Sequence, residues 1–400
     1  MDVKRIKRDF PILATEIIYF DSAASSLTPE PVLDKMLEFY HQYRANVERG
    51  VYQLSQKASE EYEKARTKVS DFINAKSDRE VIMTKNTTES INTVASGLMW
   101  HKGDGIVTTN IEHHSNFIVW LRVKERCDVD LKIVKANREG MLDVADFERA
   151  IDDRTKLVAV THASNVLGGV TPVNEIAEVA HKHGAQILID GAQSVPHMKV
   201  DVQRIGCDFL AFSGHKMCGP TGIGALYMRE ELFDEVEPLS IGGGTIDDVD
   251  IDAYHLAKGP KKFEAGTPPI AEAIGLGAAV NYLHDIGMDR IRDHDIKLIE
   301  KMYNEMMKIP KVSVYGPEPK HRVGILSFNI EGLSPHDVAL ALDATVRIIV
   351  RSGAHCTLPL MKDVIGQPSG TVRASTYIYN TGEEVDKLLK VVDDLSTSLI

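Results

Sequence analysis

Phe209-Leu210-Ala211-Phe212-Ser213-Gly214-His215-Lys216 is a short apolar run that breaks into polar residues around one lysine. Such a run reads as a buried strand delivering side chains at its C-terminal end, where open α/β sheets hold their ligands. A lysine amine is a good nucleophile only when its pKa of about 10.4 is depressed, and Schiff-base formation with an aldehyde is a common use of it. Upstream, Gln186-Ile187-Leu188-Ile189-Asp190 is a second apolar run, and it ends in an acid. Either residue alone is ordinary at a surface or a strand end. Together, at strand ends one βαβ step apart, they match what pyridoxal phosphate needs: a lysine for its aldehyde and a carboxylate to keep its ring nitrogen protonated.

Other candidates share this context. Cys356, in Val350-Arg351-Ser352-Gly353-Ala354-His355-Cys356, follows an expected strand, which favours exposure. A thiol of ordinary pKa, about 8.5, is still strongly nucleophilic at neutral pH. Lys85-Asn86-Thr87-Thr88-Glu89-Ser90 leads from a strand into a helix. Hydroxyls and free amides at a helix N-terminus make a phosphate site, although Thr-Thr-Glu is also an ordinary cap sequence. Glu112-His113-His114 follows another strand end and is expected to face the same cleft.

Leu188-Ile189-Asp190-Gly191-Ala192-Gln193, Ser213-Gly214-His215-Lys216 and Gly219-Pro220-Thr221-Gly222-Ile223-Gly224 resemble the cysteine desulfurases of the class V aminotransferase group, most of all its SufS and selenocysteine lyase branch. Arg-Ser-Gly-x-His-Cys followed by Pro-Leu-Met, around Cys356, matches the desulfurase catalytic loop. The resemblance spans nearly the whole chain and implies the pyridoxal-phosphate transferase fold type I. It implies that Lys216 carries the cofactor and removes the substrate α-proton, that Asp190 faces the ring nitrogen, and that His113 stacks on the ring and moves protons. His114 receives no role. Thr87 and Thr88 would hold the phosphate, with Gln193, Ser213, His215 and Asn165 also at the cofactor. Arg373 would clamp the substrate carboxylate in bidentate fashion, a geometry lysine could not supply, with Asn165 and Arg351 beside it. Ser22-Ala23-Ala24-Ser25 would line the site. Sulfur would pass from L-cysteine to Cys356 as a persulfide, leaving alanine, and then to an acceptor for iron-sulfur cluster assembly. Thr267, in Phe263-Glu264-Ala265-Gly266-Thr267-Pro268, matches a segment that reaches the phosphate of the other subunit in a homodimer.

The short step from Cys356 to Arg373 fits the SufS branch. Ala354 departs from it, because many relatives carry a second histidine there, and 345–349 looks one residue longer than usual. Ser334-Pro335-His336-Asp337-Val338 resembles the segment of SufS enzymes whose acceptor is a small zinc protein of the SufU type, the other acceptor class being SufE. There a histidine takes over a zinc ligand position; the alternative is a histidine in the first turn of an exposed helix. Selenocysteine lysis, other class V reactions and a non-catalytic assembly scaffold are the rival functions. Only sulfur or selenium abstraction needs Cys356.

The elements that must position these residues follow from pattern. Strands are expected at 17–21, 80–84, 105–109, 157–161, 186–190 and from 209, with helices at 29–44, 55–73 and 91–100. Their alternation to about 230 argues for a mostly parallel sheet covered on both faces. The glycine-rich 241–246 reads as flexible. A long helical region, 271–307, leads to strands at 312–315, 324–329, 347–351 and 371–374 and helices at 335–342 and 383–399. The expected division is a large domain, 15–285, and a smaller α+β domain of 1–14 with 286–400. Length alone calls for two domains.

The 400 residues are 43% hydrophobic and 26% charged, with net charge −12, the composition of a soluble globular protein with no basic tail for nucleic acid or anionic membrane. No apolar signal region or membrane-length run is visible, so a cytoplasmic protein is expected. Cys127, Cys207, Cys218 and Cys356 have no zinc-like spacing, so no metal is expected, and Cys207 and Cys218 read as small core residues.

Overall fold

The computed structural model describes residues 1–397. Among them the strands are β1 (Ile18–Tyr19), β2 (Val81–Thr84), β3 (Gly105–Thr109), β4 (Asp130–Val134), β5 (Thr155–Thr161), β6 (Gln186–Asp190), β7 (Phe209–Ser213), β8 (Gly224–Met228), β9 (Ile246–Val249), β10 (Tyr254–Leu256), β11 (Val312–Tyr315), β12 (Ile325–Ile330), β13 (Ile348–Ile349), β14 (Arg351–Gly353) and β15 (Thr371–Ser375). Strands β2 to β8 form one sheet in the order β2-β8-β7-β6-β5-β3-β4. The pairs from β4 through β3, β5 and β6 to β7 are parallel, and β8 runs antiparallel to β7 and β2. This is the mostly parallel α/β sheet expected from the alternation of elements.

Alternate residues of the central strands enter two different cores, as the period of two requires. Val158, Val160, Ile187, Ile189, Leu210 and Phe212 pack on one face. Leu157, Ala159, Leu188, Phe209 and Ala211 pack on the other. With both faces covered, these strands must be apolar almost throughout, and chemistry is confined to their ends.

A second sheet, β11-β12-β15-β14, is antiparallel. Its Leu326, Phe328, Val372 and Ala374 bury against Leu298, Met302, Val385 and Leu388 of the helices Met288–Met306 and Gly382–Thr397. Residues 398 and 399 of the expected terminal helix lie outside the described residues. An Asp21–Ser375 bridge brings the end of β1 against the end of β15.

Several boundaries differ from expectation for identifiable reasons. The region 271–307 is two helices, Ile270–Ile286 and Met288–Met306, broken at Gly287 with φ +93°. The strand at 347–351 splits at Val350: β13 pairs with β1, whereas β14 pairs with β15. The helix at 335–342 continues through Val346 and ends where Arg347 turns left-handed, so the segment 345–349 runs from helix through that turn into β13. The helix expected at 91–100 is Thr87–Gly97, because Asn86 caps it with Oδ1 accepting from the Glu89 N–H at 3.0 Å.

Candidate active site

A cavity of about 270 Å³ opens at the C-terminal ends of the parallel strands, and Lys216, Asp190, His113, Cys356 and Arg373 all line it. Thr87, Thr88, Asn165, Gln193, Ser213 and His215 are on the same wall, as is Arg351. Ala23 and Ala24 of the small-residue turn also reach it. Thr267 does not. It is exposed on a separate cleft, beside Asn46 and Gly243.

Strand β7 ends at Ser213, and the short turn Gly214–Lys216 carries the lysine into the cavity. Enclosure by protein pushes the Lys216 amine down to about 8, and the charges of Arg373 and Arg351 act in the same direction against the pull of Asp190. Asp190, at the end of β6, is buried and accepts from the Ala192 N–H at 3.0 Å. Burial raises its pKa, opposed by that hydrogen bond and by Lys216.

The first turn of Thr87–Gly97 is fastened to the end of β7. The Thr87 N–H donates to Ser213 Oγ at 2.8 Å, and the two hydroxyls lie 2.7 Å apart. Gly224 permits this approach, since a Cβ there would sit 2.5 Å from the Phe212 carbonyl oxygen and 3.0 Å from Asn86 Cα. The residues expected to hold a phosphate therefore occupy the N-terminus of an 11-residue helix, where free amides and the helix dipole favour an anion.

His113 follows β3. Its Nδ1 accepts from the Ser115 N–H at 3.1 Å, so the neutral ring carries its proton on Nε2. Burial, with the Lys216 charge in support, pushes its pKa to about 3 and keeps the ring neutral. Glu112 does not share the cleft as expected. It is fully buried behind His113, accepting from Thr109 Oγ1 at 2.6 Å, Asn116 Nδ2 at 2.6 Å and the Thr161 N–H at 3.0 Å. Burial raises its pKa to about 8. Two of its donors, Thr109 and Asn116, stand near it in the sequence, but only the fold brings Thr161 to it.

Arg373 on β15 is buried and donates through Nη1 to the Asn165 carbonyl at 2.8 Å and through Nη2 to Asp21 Oδ1 at 3.1 Å. Asp21, which sequence reasoning left out of the site, is thus the counter-charge of the expected clamp. Arg351 lies directly across the ladder from Arg373. Like charges in opposite register destabilise a sheet unless an anion joins them, so this pairing suits a carboxylate ligand. Among the described residues, Arg373 Nε and Gln193 Oε1 are buried without hydrogen-bond partners. An enclosed lysine, a buried acid, a hydroxyl-lined helix N-terminus and unpartnered polar atoms on one wall fit pyridoxal phosphate, with Lys216 for the aldehyde, Asp190 for the ring nitrogen and the Thr87–Thr88 turn for the phosphate.

Cys356 is exposed, and it and His355 both adopt left-handed backbone, with φ of +58° and +49°. Cys207 and Cys218 are buried, as expected. His336, on the first turn of the helix Pro335–Val346, is exposed with Nδ1 2.7 Å from Ser352 Oγ on β14.

The chain matches the family described as "Aminotransferase class-V" over residues 18–388. A probable cysteine desulfurase of Methanothermobacter thermautotrophicus is 48% identical over 398 residues, covering 99% of this chain and 98% of that protein. A cysteine desulfurase of Haloferax volcanii is 44% identical over 414 residues, covering 98% and 96%. Among solved structures, the apo cysteine desulfurase of Thermococcus onnurineus superposes with a TM-score of 0.95 at 48% identity, covering 99% of this chain and 98% of that one. The Escherichia coli cysteine desulfurase CsdA gives 0.93 at 33% identity, covering 100% and 99%.

Proposed function

The chain belongs to the class-V aminotransferase family and is one of its pyridoxal-phosphate-dependent cysteine desulfurases, and from that premise we propose that Cys356 takes the sulfur of L-cysteine as a persulfide. The observation that carries this reading is the exposed Cys356 thiol on the wall that also bears Lys216 and Arg373.

Pyridoxal phosphate, when bound, holds the substrate amine and draws electrons from the bonds beside it. The chain's own residues do the rest. Arg373 and Arg351 bind the α-carboxylate, and the Asn165 carbonyl and Asp21 fix the Arg373 guanidinium in orientation. Lys216, whose pKa is lowered to about 8, takes the α-proton at Nζ. Asp190, buried on the cavity lining, would keep the cofactor's ring nitrogen protonated. His113, which lines the cavity and carries its proton on Nε2, can move a proton there. The Cys356 thiolate attacks the substrate sulfur: an S–S bond forms, the sulfur–carbon bond breaks, and its electron pair stays on the carbon, which takes up a proton to become the methyl group of alanine. The sum is L-cysteine plus thiol giving L-alanine plus persulfide, with no outside oxidant. Alanine release from L-cysteine should fall at least a hundredfold in Cys356→Ser, while cofactor absorbance stays intact. Undiminished alanine and persulfide formation by that variant would remove Cys356 from the chemistry.

The finer assignment is to the SufS branch, supported by the short spacing from Cys356 to Arg373. The acceptor is a protein of the SufU or SufE type, and the SufU zinc type is the reading supported by the exposure of His336 beside β14. Thr267 completes the phosphate site of the partner in a homodimer, a reading supported by its exposure away from its own cavity. The working compartment is the cytoplasm; among the described residues no helix is long and apolar enough to cross a membrane.

A further inference from the structure

Two residues, Asn165 and His114, clasp the cysteine loop, and they hold alternate residues of it. Asn165 Nδ2 donates to the His355 carbonyl at 2.8 Å, and its Oδ1 accepts from the Thr357 hydroxyl at 3.1 Å. His114 takes the residues in between. Its backbone N–H donates to the Cys356 carbonyl at 2.7 Å. Its ring Nε2 accepts from the Leu358 N–H at 3.1 Å. Four consecutive residues are thus fixed through their main chain or hydroxyl, while the Cys356 thiol stays free and exposed.

Such a clasp has a physical task here. Two successive non-glycine residues with positive φ occupy a sparsely populated region and persist only where the surroundings over-determine them. Relaxation of His355 and Cys356 toward ordinary backbone would swing the thiol away from the cavity. His113 and His114 sit on one short turn, so the same element that presents a ring to the cavity also grips the loop opposite. The Leu358 contact requires an unprotonated Nε2, because a backbone N–H can only donate. Burial lowers the pKa of this half-buried ring, which agrees with the contact.

We propose that His114 is a positioning residue for sulfur abstraction: its backbone N–H and neutral imidazole hold the loop so that the Cys356 thiol faces the substrate sulfur. The proposal rests on the reading of Cys356 as the sulfur acceptor. A displacement of about 1 Å at a reacting atom can cost on the order of a hundredfold in rate, so a single lost loop contact is enough to matter. Substrate binding, set by Arg373 and Arg351, does not depend on it.

The test compares His114→Ala with His114→Gln in the holoenzyme; both keep the backbone N–H, and the glutamine amide oxygen can replace Nε2 as acceptor for Leu358. Amide hydrogen exchange at Leu358 reads the clasp without reference to activity. Single-turnover persulfide formation on Cys356, with KM for L-cysteine, reads its consequence. His114→Ala should exchange at Leu358 at least tenfold faster and form persulfide about tenfold more slowly, with KM within twofold of the parent. His114→Gln should recover both to within threefold. Parent-like persulfide formation in His114→Ala, or a glutamine variant no better than alanine, overturns the proposal. Absence of persulfide on Cys356 in the parent protein would instead overturn the functional reading, and the exchange data would still report whether the clasp exists.

Discussion

Lys216 shows how a single side chain acquires its chemistry from what surrounds it. Enclosure and two guanidinium groups outweigh Asp190, and the amine loses its proton around pH 8 rather than around the usual value of about 10.4. The consequence is measurable in the apoprotein. Its rate of pyridoxal phosphate uptake, followed by cofactor absorbance, should climb about tenfold per pH unit below about 8 and level off above it, because the neutral amine is the nucleophile. A rate still climbing steadily at pH 10 would mean that Lys216 titrates as an ordinary surface lysine. The same shift has a signed effect on stability. Between about 8 and 10.4 the unfolded chain binds more protons at this residue than the native one, so this group's contribution to apoprotein stability rises with pH across that window. At this scale Lys216, Asp190 and Cys356 were legible in the sequence, since residue type and a place at the end of an apolar run are local properties. Asp21 was not, because its partner Arg373 comes from a distant segment, and Glu112 was legible only in part, since Thr109 and Asn116 are its neighbours in the chain and Thr161 is not.

The helix Pro335–Val346 and strand β14 decide what approaches Cys356 from outside. Ser334 caps the helix, its Oγ accepting from the Asp337 N–H at 3.1 Å, and Pro335 occupies the first turn, so the position of His336 is set by ordinary start signals. Its Nδ1 meets Ser352 Oγ, which leaves Nε2 available to a zinc ion brought by a partner. His336→Ala should leave single-turnover persulfide formation on Cys356 unchanged and abolish stimulation of turnover by a zinc-loaded acceptor of the SufU type. Equal stimulation of both proteins would return His336 to the role of an exposed helix residue. The sequence pattern located this helix but ended it at 342. The additional turn through Val346 is held by Val346 itself, which packs partly buried against the core of the second sheet, a tertiary effect that overrides local signals.

On the scale of the whole molecule, the position of Thr267 matters most. The segment that bears it is anchored by Glu264, which accepts from Arg66, from the Tyr62 hydroxyl at 3.1 Å and from the Met83 N–H at 2.7 Å, and Thr267 is left exposed beyond this anchor. A homodimer with shared sites predicts complementation. Mixed subunits of Lys216→Ala and Thr267→Ala, each inactive alone, should recover roughly a quarter of parental activity after exchange, since half the dimers would carry one intact site of two. No recovery in verified heterodimers would count against sharing. The sequence by itself determined the buried strands that end at Thr84, Thr109, Thr161 and Asp190 and the residue types that stand at those ends, because apolar periodicity and strand-end chemistry are written in short stretches of chain, while β4 and the equally buried β8 were not foreseen. Only the tertiary structure decided that Arg351 lies opposite Arg373, that Asp21 balances the pair, and that His114 and Asn165 grip the cysteine loop. Those are pairings between residues from 22 to 352 positions apart, made or withheld by sheet register and loop packing, and neither leaves a local pattern to read.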